Sequence, residues 1–396
     1  MANKNLFTSK AGPHVPATNA TNESGGTAYA LSAKQGLAQY AATGCLNGTY
    51  YASADDQLAK TLQFANAVEP EFLAKTAIYA REDGFMKDMP ALLAAVLSKR
   101  EPKLFRKIFG RIVDNGKMLR NLVQIIRSGV TGRKSLGSGP KNLIRMFLEG
   151  NSGEQLFRFS VGNDPRLADV IKMVHPKALT PERAAIFGYL AGKEPAGEGQ
   201  SLVEMRKVTV AGKEVERPLY RYDSTKLPEL VKAFEQYKKE KKGAPPAVPF
   251  EMLTALDLGQ AEWAEIAKNA SWTQTRMNLN TFARHKVYDV SGVTTIIANR
   301  LKDPDLIRKA RVFPYQLLMA FTATEGNENV PKSVRNALQD ALEVAVENVP
   351  AIDGRVIVCP DVSGSMASPI TGHRKDRKST RLNSSHSRAS RMPSSA

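Results

Sequence analysis

The stretch Lys103-Leu-Phe-Arg-Lys-Ile-Phe-Gly-Arg-Ile-Val113 places apolar residues at Leu104, Phe105, Ile108, Phe109, Ile112 and Val113. That i, i+1, i+4, i+5 recurrence marks one face of an α-helix; a strand would alternate with period two. The opposite face carries Lys103, Arg106, Lys107 and Arg111. The same pattern returns on both sides of it. Glu71–Arg81, Pro90–Arg100, Lys117–Arg127, Pro140–Leu148 and Pro181–Leu190 read as short amphipathic helices. Pro90, Pro140 and Pro181 stand at or near first turns, where a missing N–H leaves no bond unmade. Serial helices joined by short turns predict a mostly α fold: a solenoid or ring of HEAT-like helical repeats. No strict sequence period accompanies them.

The helical pattern begins near residue 31, after an Asn-, Thr-, Ser- and Gly-rich segment 1–30 that reads as a flexible lead-in. It is interrupted at 192–222, where Lys207–Val210 and Lys213–Val215 alternate around Ala211-Gly212 and predict a surface β-hairpin. Residues 237–246, YKKEKKGAPP, read as an exposed linker. Helices resume near 250 and run to Val349, so 31–350 forms one expected module.

Composition narrows the function. With 396 residues, 42% hydrophobic and 24% charged, the chain has the make-up of a globular protein of one large domain or two. No run of eighteen apolar residues exists and the N-terminus lacks an apolar signal core, so we expect a cytoplasmic protein without membrane contact. Cys45 and Cys359 are too few for a disulfide framework or a zinc cluster. G-x-x-x-x-G-K-[ST], H-E-x-x-H and G-x-S-x-G are all missing, so no catalysis is expected. The net charge of +17 points to a polyanionic partner. Residues 374–396 contribute seven Lys/Arg and one Asp, so the remainder still carries +11. Between Lys103 and Arg145 there are eleven Lys/Arg against one acid, Asp114, a local +10. Lys141 and Arg145, four apart, share a helix face, and Arg133-Lys134 precede them. Gly137-Ser138-Gly139 would let the backbone approach a phosphate closely.

Near the C-terminus, Val356-Ile-Val-Cys359 reads as a buried strand leading into Asp361-Val-Ser363-Gly-Ser365-Met366. Asp361, Ser363 and Ser365 offer hard oxygen ligands of the kind Mg²⁺ or Mn²⁺ prefers. The pattern resembles the metal-ion-dependent adhesion site of a von Willebrand factor A domain. Thirty residues follow Met366, far fewer than that α/β domain needs, so 351–373 is expected to be its truncated start, with no stable cation site. Residues 374–396, Ser- and Arg-rich without period, read as a non-native basic tail; a genuine nucleic-acid-binding tail is the alternative.

Four ordered blocks carry a further resemblance: FLAKTAIYAREDGFMKDMPALLAAVL at 72–97, IRSGVTGRKSLGSGPKNLIRMFLEG at 126–150, DVIKMVHPKA at 169–178 and WTQTRMNLNTFARH at 272–285. Together with RVIVCPDVSGSM downstream they resemble the TROVE module of the bacterial Ro autoantigen-like proteins. The resemblance implies a ring of HEAT-like repeats closed by an A-type domain. It implies binding of small structured Y-type RNAs outside the ring and of single-stranded ends of misfolded RNAs within it. Degradation would fall to a partner exoribonuclease, and the chain itself is expected to be a monomer. A His at the matching family position contributes to Y-RNA binding, which implies that role for His175, flanked by Lys172 and Lys177.

Arg276, Asn278, Asn280, Arg284 and His285 belong to the most distinctive block. Read as one helix, Arg276, Asn280 and Arg284 share a stripe, serving either RNA contact or bonds between repeats; the Asn residues favour the structural role and Arg276 and Arg284 the RNA role. The expected function is RNA binding. The alternative is a protein-interaction solenoid whose intact parent grips partners through the metal site.

Overall fold

A computed structural model describes residues 18–21, 27–44 and 46, then 53–349 apart from 198, 211, 212 and 242, and lastly 351, 354 and 355. The fold is mostly helical, with two small antiparallel sheets among the described residues. It divides into two compact units, residues 1–144 and 145–396.

Unit 1 opens with a two-residue ribbon, β1 (Ala20–Thr21) and β2 (Thr27–Ala28). Helices α1 (Ala33–Thr43), α2 (Ala54–Ala67), α3 (Pro70–Glu82), α4 (Asp88–Arg100), α5 (Pro102–Ile112) and α6 (Gly116–Arg127) follow, and α7 (Ser138–Gly150) begins here. Helix α4 lies at the centre: every residue from Met89 to Ser98 is buried, as befits a helix that is apolar all round. Helices α3, α5 and α6 pack on it. Helix α5 turns Phe105, Ile108, Phe109 and Ile112 inward, with the Phe105 and Phe109 rings edge-on at 5.8 Å. The starts are written in the sequence. Ser32 with Gln35 and Ser53 with Asp56 form capping boxes, and the Asn115 carboxamide accepts from the N–H groups of Lys117 and Met118 at 3.0 Å each.

Unit 2 carries α8 (Gly153–Phe159), α9 (Leu167–Val174), α10 (Pro181–Leu190), the hairpin β3 (Val203–Val210) and β4 (Lys213–Tyr220), and α11 (Glu229–Glu240). After them come α12 (Phe250–Thr254), α13 (Gln260–Asn269), α14 (Trp272–Met277), α15 (Leu279–Arg284) and α16 (Val293–Lys302). The last are α17 (Pro304–Ala310), α18 (Pro314–Glu325) and α19 (Lys332–Ala345). One apolar cluster runs from Phe157 through Trp263, Phe282 and Leu317 to Ala345. The hairpin is longer than its sequence pattern, its register running from Val203↔Tyr220 to Val210↔Lys213. The expected linker at 237–246 begins differently: α11 continues to Glu240 because Tyr237 is buried in the cluster, and the chain turns only at Lys241, φ 52°. The helix expected over 140–148 extends by two residues at each end, to Ser138–Gly150. The strand at 356–359 and the residues after it lie outside the described residues.

A repeat concealed in the sequence shows in the hydrogen bonds. Arg100 donates to the Ala65 and Val68 carbonyls, 35 and 32 residues back, at the end of α2. Arg183 donates to the Leu148 and Asn151 carbonyls, again 35 and 32 residues back, at the end of α7. Arg300 donates to the Ala267 and Lys268 carbonyls, 33 and 32 residues back, at the end of α13. The last carbonyls of a helix lack intrahelical donors and sit at the negative end of its dipole. A forked guanidinium from a later helix satisfies two of them at once. Each tie thus fastens a helix to one two or three elements earlier: α4 to α2, α10 to α7 and α16 to α13.

Candidate nucleic-acid interface

The cations predicted from sequence separate by their hydrogen bonds. On α5, Lys103, Arg106 and Lys107 are exposed, and none has an acidic partner or hydrogen bond among the described residues. Spaced three and four apart, they form one stripe over a base of buried Phe and Ile. Gly110 continues that stripe, and a Cβ there would meet nothing within 4 Å, so a bulky strand could lie close to the helix. Arg111, one position on, is bound to Glu82, with Nε 2.7 Å from Oε1. Glu82 is held below the usual carboxylate range chiefly by that hydrogen bond. Asp114, the one acid of the basic stretch, is occupied by Arg81 of α3, whose Nη2 reaches both its oxygens at 2.9 and 2.6 Å. The two pairs offset each other: Arg81 takes up the one acid of the stretch, and Glu82 takes up one of its cations.

Lys134 is exposed in the loop after α6. Arg133 beside it points inward: Nη2 donates to Ser98 Oγ at 2.7 Å and Nη1 to the Leu136 carbonyl at 3.1 Å. Burial pushes its pKa down from the ordinary arginine value. Lys141 is half-exposed on α7. Arg145, one turn on, does not join it as a free cation, because its Nε donates to the Val174 carbonyl, the last residue of α9.

His175 follows α9 as its C-terminal cap in the left-handed region, φ 51°, ψ 67°, and is exposed. Lys177 is exposed too, while its backbone N–H donates to Glu149 Oε1 at 2.7 Å. Lys172 lines a pocket of about 480 Å³ with Arg166, Asp169, Asn163 and Ser160. Arg166, which nothing in the sequence pattern singles out, starts α9, its N–H donating to Asp169 Oδ2 at 3.0 Å.

The block at 272–285 is two helices, not one. The chain leaves helical geometry at Asn278, φ −114°, ψ 14°, so Arg276 and Arg284 do not share a continuous stripe. Arg276 is half-buried and donates to the Gln316 carbonyl at 3.1 Å, and burial pushes its pKa down. Asn280 bridges neighbouring elements, donating to the Ala323 carbonyl and accepting from Asn327, both at 2.9 Å. Arg284 is exposed at a pocket of about 450 Å³ lined also by Glu251 and Asp257, a surface of mixed sign. His285 stacks on Trp263 with ring centroids 4.4 Å apart, and burial together with Arg284 lowers its pKa.

Asp361, Ser363 and Ser365 lie outside the described residues. Among the described residues no group of three or more His, Cys, Asp or Glu could hold a metal ion. None of their helices is long and apolar enough to cross a membrane.

No family description and no curated protein matches this sequence. The fold itself is a Ro-like helical repeat. Among the solved structures it resembles is that of the RO (RSR) protein of Deinococcus radiodurans, with a TM-score of 0.55 and 19% sequence identity. The match covers 81% of this chain and 65% of that one, so the chain spans under two thirds of its neighbour's length.

Proposed function

We propose that this protein binds RNA through its unit 1 cations. In this reading it scaffolds small structured noncoding RNAs of the Y type and holds the single-stranded ends of misfolded RNAs, leaving their cleavage to a separate exoribonuclease. One observation carries the proposal: Lys103, Arg106 and Lys107 form an exposed stripe without acidic partners among the described residues, on a helix anchored by buried aromatic rings. Ordinary surfaces intersperse charges of both signs. A one-sign stripe beside an open glycine suits a phosphate backbone, whose contacts dominate affinity and make it salt-dependent. The Ro-like fold supports the same reading.

The test replaces Lys103, Arg106 and Lys107 together by Gln and measures equilibrium binding of the full chain to a structured RNA with a 3′ single-stranded end, titrated with salt. Arg145 is left intact, since it caps α9. Losing three phosphate contacts should flatten the slope of log K against log salt by about 2, at about 0.7 per single-strand contact. An unchanged slope would sink the proposal.

A further inference from the structure

Between the ends of α2 and α4 and the loop after α6, unit 1 encloses a pocket of about 390 Å³ that the RNA-binding stripe does not use. That size falls within the range of small-ligand sites, about 300–1,000 Å³. Its walls divide by chemistry. Leu62, Val96 and Val130 form an apolar side, with the Asn66 amide exposed among the lining residues. Lys99, Arg100, Thr131 and Gly132 supply a polar side, and no acidic residue lines the pocket.

The polar side is built rather than incidental. Arg100 is held by the Ala65 and Val68 carbonyls. Arg133, next to Gly132 in the chain, is anchored on Ser98 and Leu136, so two fixed guanidiniums stand in this part of the fold without a carboxylate partner among the described residues. The Lys99 ammonium lies only 2.5 Å from where a Cβ on Gly132 would sit, so glycine is what lets this lysine lie against the loop. Gly129 and Gly132 take φ of +91° and +80°, and the Gly132 N–H closes the turn on the Gly129 carbonyl at 2.8 Å. The Thr131 hydroxyl is buried and has no hydrogen-bond partner among the described residues. A buried hydroxyl without a partner costs free energy that an incoming acceptor would recover.

We propose that this pocket binds a single phosphorylated nucleotide, its phosphate on Lys99, Arg100 and Thr131 and its base or ribose against Leu62, Val96 and Val130. The source is a phosphate-bearing RNA end or a free nucleoside monophosphate. The first source deepens the RNA-binding proposal and rests on it; the pocket itself does not.

The experiment uses the full chain and three probes, AMP, adenosine and inorganic phosphate, followed by titration calorimetry. AMP should bind at least tenfold more tightly than either fragment, because only it engages both walls. Thr131→Val, which keeps the shape and removes the hydroxyl, and Lys99→Gln should each weaken AMP about tenfold, as for a hydrogen bond to a charged group. Thr131→Val should melt no lower than wild type, which separates lost binding from lost folding. A short oligoribonucleotide with a terminal phosphate should outbind its dephosphorylated form, and Lys99→Gln should erase the difference. AMP binding without that difference assigns the site to free nucleotides. Equal binding of AMP and adenosine, or unaltered AMP binding by Thr131→Val, overturns the proposal. The α5 triple variant should bind AMP normally, so the two proposals fail separately.

Discussion

Replacing Arg300 by Met removes one tie and leaves a side chain of similar length in its place. Three acceptors lose their donor: the Ala267 carbonyl at 2.6 Å, Thr275 Oγ1 at 3.0 Å and the Lys268 carbonyl. A hydrogen bond involving a charged group contributes about 1.5–3 kcal/mol net, so three set an upper bound near 5–9 kcal/mol. Arg300 is half-buried, and water can reach part of what it leaves, which brings the expected cost to about 2–4 kcal/mol. Against a typical stability of about 5–15 kcal/mol that is a large fraction. The protein supplies its own reporter: its two tryptophans, Trp263 and Trp272, lie on α13 and α14, and the Trp272 indole donates to the Leu301 carbonyl at 3.0 Å, next to Arg300. Urea unfolding followed by tryptophan emission therefore reads this region directly. The control is Arg308→Ala, where an exposed guanidinium pairs with Asp305 and Glu347 at the surface; the loss there should stay below about 1 kcal/mol. If Arg300→Met costs no more than the control, these arginines do not hold the repeats together.

Arg120 on α6 is 8% exposed, and its Nε and Nη1 have no partner among the described residues. Burial depresses its pKa. Arg120→Met should raise stability by about 1–3 kcal/mol in thermal denaturation, and a lower melting temperature would refute this. The folded His285 has a pKa below its unfolded value, so the unfolded chain takes up the proton first and stability falls with pH. The loss begins as pH drops through about 6.5, the unfolded histidine value, and levels off below the folded pKa. Trp263 emission followed from pH 8 to pH 4 should shift in that window and not in His285→Gln; identical profiles for the two proteins would contradict it.

The helices were legible where burial imposes a one-sided pattern. Helix α5 buries four of the five apolar residues its pattern marks, leaving Leu104 half-buried, and the pattern over Pro181–Leu190 matches α10 to the residue. What could not be read are relations whose partner is a backbone carbonyl. Any residue type can supply a carbonyl, so the 32–35-residue reach of Arg100, Arg183 and Arg300 leaves no recurring letters at its accepting ends. The break at Asn278 was hidden for a similar reason. Its amide donates to the Gln274 carbonyl at 2.9 Å, competing locally with helical geometry where the side-chain spacing alone suggested continuity. Tyr237 likewise looked like part of a lysine-rich surface turn until the cluster that buries it was assembled from distant segments.

Net charge fails as a measure of binding capacity for the same physical reason. Arginine offers five donors in a rigid plane and is more weakly hydrated than lysine, so a helical repeat can use it internally. Of the eleven cations between Lys103 and Arg145, four are committed or enclosed: Arg111 to Glu82, Arg133 to Ser98, Arg145 to Val174, and Arg120 by burial. Seven remain at the surface or half-exposed: Lys103, Arg106, Lys107, Lys117, Arg127, Lys134 and Lys141. Five of the seven are lysines, the side chain that gains most from staying hydrated until a phosphate arrives. At about 0.7 per contact, seven phosphates cap the salt slope of this stretch near −5, whereas all eleven would allow nearly −8. A slope steeper than −5 that the α5 triple variant leaves untouched would show that the RNA is held by cations elsewhere in the chain.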